Sequence, residues 1–461
     1  MKADCPHCNL ETVLLEDVSK EGASAQAITA AELTEALGAT IPRRPISIFY
    51  QFGLVLVAIF MVLLPLVYLA FVALVAYGTY WYAVNMRGIL SDFGGGVRVY
   101  ILKAIIYFGP VFGGAISVFF LLKPILARNP KQTETIELNP AEHPRLYQFI
   151  AQMCELMRVR MPTRICLSCE LNASAGFRRG WLSFLGSDFE LTLGLPLVAG
   201  LDTRQIAAVV AHELGHCTQT FAMRLGYVIN RVDGWFHRVV YQRDSWDAAF
   251  EEWQDSVGES RLVLLGLIVS LAVWVSRLTL LVLMMIGHVV SCFLSRQMEY
   301  HADRCSMEVA GSAAVESLML RLREQAIMEQ IVTDKLQEVW KKRHQLPDSL
   351  PDYYEQLDRR LSDEFREQAR MTLINEKAGW FATHPTAAQR IQRARQKSVP
   401  GVFTIEKPAR ALFNNFSRTA ALATAAHYRR NLRLPVTDPM LKPAIAFFEH
   451  PEPEARRFPA G

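Results

Sequence analysis

His212-Glu213-Leu214-Gly215-His216 is the stretch from which the fold can be read. Upstream, Asp202 and Gln205 have capping-box spacing, and Ile206-Ala-Ala-Val-Val-Ala211 supplies helix formers with an apolar face. A helix through this segment puts His212 and His216 on one side, a turn apart. Two imidazoles so placed suit adjacent positions of a tetrahedral Zn²⁺. Glu213, about 100° round the helix, lies near enough to hold a water without ligating. A catalytic zinc needs a third protein ligand and an open fourth position. Ser295-Arg-Gln-Met-Glu299-Tyr-His-Ala-Asp303 offers one, because Glu299 closes a His₂Glu set. Asp303, a turn further on, is spaced to accept the free N–H of a ligand histidine. His301 competes as a ligand, but two residues from Glu299 it faces another side of a helix.

An apolar run separates the two halves of this constellation, and the chain holds two more. Its 461 residues are 51% hydrophobic and 20% charged, with a mean hydropathy of +0.14. That balance excludes disorder, and ordinary glycine and proline usage (26 and 22 residues) excludes collagen-like or low-complexity structure. A scattered net charge of +4 argues for no nucleic-acid partner. Residues 45–86 and 104–122 contain no charged residue, and 262–294 is interrupted only by Arg277 and His288. Uncharged runs of this length read as membrane spans, which makes the bilayer a partner of the chain. The first 45 residues are polar, so no cleavable secretory signal is expected at the start.

The first run, residues 52–84, is roughly 50 Å long as a helix. It is expected to form one long element, tilted or kinked at Pro65, that ends in an aromatic belt of Tyr77, Tyr80, Trp81 and Tyr82. Arg43 and Arg44 before it, with Lys123, Arg128 and Lys131 after the second run, point to both ends and the active site being cytoplasmic, which for a bacterial protein means the inner or plasma membrane. His216 and Glu299 must meet at one metal, so the chain crosses an even number of times between them. The third run is therefore expected to be a hairpin turning at Ser276-Arg277, or a segment that dips in and returns.

HELGH, a membrane segment and SRQMEYHAD together resemble the integral-membrane zinc metallopeptidases that include HtpX and the CAAX prenyl endopeptidase. In that family a Glu is followed by Ala-Asp, as Glu299, Ala302 and Asp303 stand here. Thr383-His384-Pro385-Thr386 with Arg390 resembles a third family element, and 171–176 with 189–195 resembles the strand region upstream of the zinc helix. The resemblance covers roughly residues 100–400. It implies an α+β, predominantly helical, membrane-embedded gluzincin-like metallopeptidase with a small sheet beside the HExxH helix and one catalytic Zn²⁺. It also implies that Glu213 and His384 are catalytic, His384 as a donor to the developing oxyanion, and that Arg390 orders the site or the substrate. The implied substrates are polypeptides, membrane or misfolded proteins in quality control, with oligomerisation left open.

The expected organisation is a polar segment at 1–45, two spans within 46–127, catalytic parts at 128–260 and 295–399 around a membrane segment at 261–294, and an extension at 400–461. Thr29 and Glu32 have capping-box spacing for a short helix before the membrane. Phe189, Leu191 and Leu193 alternate as a strand, which would accept an extended substrate if it is an exposed edge. Residues 331–380 alternate in charge as solvated helix faces do, with a lid over the cleft as the sharper alternative. Of the eight cysteines, Cys166 and Cys169 read as packed thiols, whereas Cys5 and Cys8 resemble half of a zinc ribbon whose other half is missing, to be read as a vestige or a disordered segment or else as a second candidate metal site completed by another subunit. Two other classes of function stay open. One is a catalytically inactive membrane scaffold that keeps the protease fold, and the other a redox protein acting through Cys5 and Cys8.

Overall fold

The computed structural model describes residues 28–37, 40–41, 48–91, 96–126, 135–177, 189–218, 220–241, 263–376 and 384–449. Cys5, Cys8, Arg43, Arg44, Arg128, Lys131 and Thr383 lie outside these residues. The chain forms two compact units, one of Met1–Pro45, Gln132–Met223 and Arg296–Gly461, the other of Ile46–Lys131 and Arg224–Ser295.

In the first unit, strands β1 (Ile136–Glu137), β2 (Arg164–Ser168), β3 (Ala173–Phe177) and β4 (Phe189–Gly194) form one sheet in the order β1-β2-β4-β3. β4 runs parallel to β2 and antiparallel to β3. Phe189, Leu191 and Leu193 point into the core while Glu190 and Thr192 stay half-buried, so the alternation is that of a strand. As β4 is paired on both sides, it is not the exposed edge its sequence left open. That edge is β3, whose outer side has no strand partner among the described residues. Its Ala-Ser-Ala-Gly sequence is too short of apolar alternation to announce a strand.

Helix α1 (Ala30–Leu37) opens with the expected Thr29–Glu32 capping box. It is no separate polar segment, because Ile28, Leu33 and Leu37 are buried in the main core and Gln148 and Gln152 of α4 (Pro144–Met157) bond to its residues Ala30 and Thr34. The boundary expected at 400 is absent for the same reason. Phe403 packs edge-on against Phe149 at 5.8 Å, and Phe413, Phe416 and Tyr428 complete the same core. The Thr203 hydroxyl donates to the Ile405 carbonyl at 2.6 Å, which ties this stretch to the start of the histidine-bearing helix. The short apolar runs after residue 400 fill a core laid down by distant segments, so no local pattern marks them.

In the second unit, α2 (Ile48–Asn85) is one continuous helix with Pro65 inside it, and α3 (Val97–Leu126) packs along it. The Tyr82 hydroxyl donates to the Ile106 carbonyl and the Tyr107 hydroxyl to the Ala83 carbonyl, each at 2.7 Å. Gly114 faces Thr79 so closely that an added Cβ would lie 2.2 Å from its Oγ1. After α5 (Leu195–Gly200) and α6 (Thr203–Cys217) of the first unit, α7 (Thr220–Tyr241) leads away and α8 (Val263–Ala310) returns. Segments of α2, α3 and α8 are long and apolar enough to cross a membrane. Phe49, Leu74, Ile105 and Phe112 stand more than half exposed on them, a disposition suited to lipid.

The expected turn at Ser276-Arg277 does not form, because α8 is a single helix of 48 residues. Ser276 remains inside it as a helical residue, its hydroxyl 3.2 Å from the Tyr68 hydroxyl, which itself donates to the Leu121 carbonyl at 2.8 Å. Neither proline nor glycine breaks the run at that point. With its arginines, α7 escapes any reading by hydropathy.

Candidate active site

Helix α6 starts at Asp202, whose carboxylate accepts from the Gln205 amide at 2.7 Å while the Gln205 side chain accepts from the Asp202 amide at 3.1 Å. Its residues Ile206 to Ala211 are buried, so the helix is held rigidly against the sheet up to the first histidine. Helix α8 crosses it antiparallel in a register fixed at four levels. Arg204 Nε donates to the Ala310 carbonyl at 2.7 Å, and the Ser306 hydroxyl donates to the Ala208 carbonyl at 2.7 Å. His212 meets Asp303 and Glu299, and Gly215 meets Ala302. A Cβ on Gly215 would sit 3.0 Å from Ala302 Cα and 3.2 Å from Cys305 Cβ, so the glycine is what lets the helices approach. Gly215→Val is expected to destabilise the protein by about 1–3 kcal/mol through overpacking, read as a fall in the thermal-unfolding midpoint. An unchanged midpoint would mean that the two helices do not meet there.

Three donor groups converge at this crossing. His212 Nε2 lies 3.4 Å from Glu299 Oε2, and His216 Nε2 lies 3.7 Å from Glu299 Oε1. The two imidazoles stand perpendicular, 4.9 Å apart. Tetrahedral zinc with bonds of about 2.0–2.2 Å sets its donors roughly 3.3–3.6 Å apart, close to what these residues present. His212, His216 and Glu299, each offering one atom within 4.8 Å of the others, could thus hold a metal ion.

The surrounding groups orient the three. His212 Nδ1 is 3.2 Å from Asp303 Oδ1, which leaves Nε2 turned to the donor cluster. Arg390, on α9 (Ala387–Lys397), grips Asp303 in a fork, with Nε at 3.0 and 2.9 Å from the two carboxylate oxygens and Nη2 also reaching Oδ1. Its Nη2 also lies 3.4 Å from His212 Nδ1. His384, just before the Thr386 cap of α9, lies with Nδ1 3.2 Å from Glu299 Oε1 and with 73% of its side chain exposed, on the open side of the cluster. His301 turns elsewhere, its Nδ1 4.0 Å from Cys305 Sγ.

Glu213 points to the sheet, where Oε2 accepts from the Ala175 amide of β3 at 3.1 Å. This partner was missed from sequence, since a backbone N–H leaves no signature in residue type. Alternate residues of a strand edge present their N–H and C=O to the same side. The Ala175 amide points outward, so those of Ala173 and Phe177 do too, while Gly194 bonds to Asn172 on the inner side at 2.7 Å.

Burial raises the Glu213 carboxyl above the usual range, an effect only partly offset by His212 and the Ala175 amide. Burial opposes a charge on His212, but the carboxylates of Asp303 and Glu299 outweigh it and raise that imidazole to about 9. Burial, helped by the charge of His212, pushes His216 down to about 4. A cation binding at His212 has to displace its proton, so loading weakens as pH falls below that value. Cys166 and Cys169 are free and buried, with burial pushing their thiols up to about 11 and about 12, as expected of packed residues. In the region of alternating charge, Arg321 and Arg366 both pair with Glu324 and Asp358 and pin neighbouring helices together.

The family model described as Peptidase family M48 matches residues 141–398, which include every described residue of the donor cluster and its supports. Protease HtpX of Acinetobacter baumannii (strain AYE) is 25% identical over 327 residues, covering 68% of this chain and 93% of that protein. Protease HtpX of Stutzerimonas stutzeri (strain A1501) is 26% identical over 302 residues, covering 64% and 87%. Protease HtpX of Acinetobacter baylyi is 26% identical over 328 residues, covering 68% and 93%. No solved structure gives a significant match.

Proposed function

The chain belongs to peptidase family M48, and on that premise we propose that it is a zinc-dependent, membrane-bound endopeptidase with its site on the cytoplasmic side. The observation that carries this reading is the convergence of His212, His216 and Glu299 beside a buried carboxylate, Glu213, that is not one of the donors. Those three residues would hold the zinc, which supplies Lewis acidity in the form of an acidified water and a polarised scissile carbonyl.

The remaining chemistry is done by side chains and backbone of this chain. Glu213 takes the proton of the attacking water and delivers it to the leaving amine, a role favoured by a carboxyl whose proton affinity burial has raised. A substrate segment adds to the free edge of β3 as an extended strand, bonding to the outward backbone groups of Ala173, Ala175 and Phe177. Docking there draws the Ala175 amide from Glu213 Oε2 to the substrate and frees the base at the moment it is needed. His384, exposed on the open side, swings from Glu299 to donate to the developing oxyanion. Arg390 and Asp303 hold His212 in the tautomer that turns Nε2 inward.

Recognition through main-chain bonds carries little sequence specificity, which suits membrane or misfolded polypeptides and a part in membrane-protein quality control. In proteoliposomes, a chelator should abolish cleavage of an unfolded membrane substrate and stoichiometric zinc should restore it. Full activity of zinc-free protein would sink the reading.

A further inference from the structure

Helix α7 stands apart from the other long helices of the second unit because it is amphipathic. Ile229, Val232 and Phe236 are buried along one side, and Asp233 on that side lies 3.5 Å from His288 Nδ1 of α8. At about 100° per residue, Arg224, Arg231 and Arg238 fall within about 40° of one another, roughly 100–160° round from that side, and each is half-buried. Their spacing of seven residues sets successive Cα atoms about 10.5 Å apart in a stripe about 21 Å long. Among the described residues no carboxylate pairs with any of the three, and Arg224 Nε is buried with no hydrogen-bond partner. Tyr227 and Trp235 flank the stripe, and exposed Gly234 leaves open space beside it.

The rest of this unit turns apolar side chains outward, Leu74 on α2, Phe112 on α3 and Phe293 on α8 being more than half exposed. Within such a unit, a helix side with three guanidiniums that no described carboxylate pairs is unsuited to hydrocarbon. What a bilayer offers it is the phosphodiester, whose oxygens match the planar fork of arginine in bidentate bonds. Tyrosine and tryptophan settle at the same headgroup depth. We propose that the Arg224–Arg231–Arg238 stripe of α7 binds the phosphates of anionic phospholipids. Charge alone would also admit an acidic polypeptide, but the stripe belongs to the unit whose outward sides suit lipid.

Each basic residue near an anionic membrane surface contributes roughly fivefold to affinity, so the three together are worth on the order of a hundredfold. The full-length protein, in nanodiscs of phosphatidylcholine with or without phosphatidylglycerol, should retain phosphatidylglycerol preferentially by native mass spectrometry. Its thermal-unfolding midpoint should rise with phosphatidylglycerol content. R224Q/R231Q/R238Q should lose both effects, and the corresponding triple lysine variant should keep most of them. If the triple glutamine variant fails to fold, R231Q and R238Q carry the test beside K335Q, an exposed charge of the other unit. Either single variant should weaken the preference and K335Q should not. Absence of a preference in wild type, or its survival in the glutamine variants, overturns the proposal. Displacement of the lipid by inorganic phosphate or by a soluble acidic peptide overturns it as well.

Discussion

Glu213→Gln is expected to lower kcat/KM for peptide cleavage by about 10²–10⁴ while zinc content and the thermal-unfolding midpoint stay close to wild type. The substitution is nearly isosteric, and the amide oxygen of Gln can still accept from the Ala175 amide that now bonds to Glu213 Oε2. What it cannot do is take a proton from water. Glu213 is not among the donors that converge on the candidate metal position, so its replacement removes no ligand. Kinetics on a fluorogenic peptide, with metal content of the same preparation, separate the outcomes. Cleavage at the wild-type rate would remove Glu213 from the mechanism. Joint loss of zinc and activity would reassign it as a ligand.

The histidine-bearing helix was legible because its signals are local. A capping box, a run of helix formers and two histidines a turn apart all lie within sixteen residues of chain, and the structure realises the cap with the bonds the spacing implies. Glu299 and Asp303 were legible for a similar reason, one helical turn placing both carboxylates against His212. The features that escaped depend on chain segments far apart. Ser306 and Arg204 set the helix register through carbonyls of Ala208 and Ala310, and neither residue type advertises such a partner. The free edge of β3 is defined by which strands happen to lie beside it.

The misread hairpin has a more instructive cause. The hairpin follows from the demand that one metal gather His216 and Glu299, and the one long apolar run between them is folded to meet it, because hydropathy registers only segments apolar on every side. Helix α7 buries one side and charges the other, so its average hydropathy hides it. The same charge pattern that concealed this helix is what gives it a surface with something to bind.

The second large effect is expected at the buried pair behind His212. Asp303→Asn leaves the Arg390 guanidinium, 19% exposed, without its counter-ion and next to the His212 ring. Stranding one partner of such a pair costs about 3–5 kcal/mol, and loss of the carboxylate behind a ligand histidine weakens metal binding about 10–100-fold. The two losses have different origins, so they should separate in the double variant. Asp303→Asn with Arg390→Met removes the stranded charge and substitutes an apolar chain of comparable length. It should recover most of the stability, measured by chemical unfolding of the metal-free protein. Zinc affinity, measured by competition with a chelator, should stay low, because a neutral Asn amide replaces the carboxylate 3.2 Å from His212 Nδ1 and, as the weaker acceptor, leaves the ligand ring less basic. Arg390→Met alone keeps Asp303 on His212 and should lose less affinity than Asp303→Asn. If the double variant regained zinc affinity along with stability, Asp303 would serve only to neutralise Arg390. The orientation of His212 would then have to come from the crossing of α6 and α8 itself.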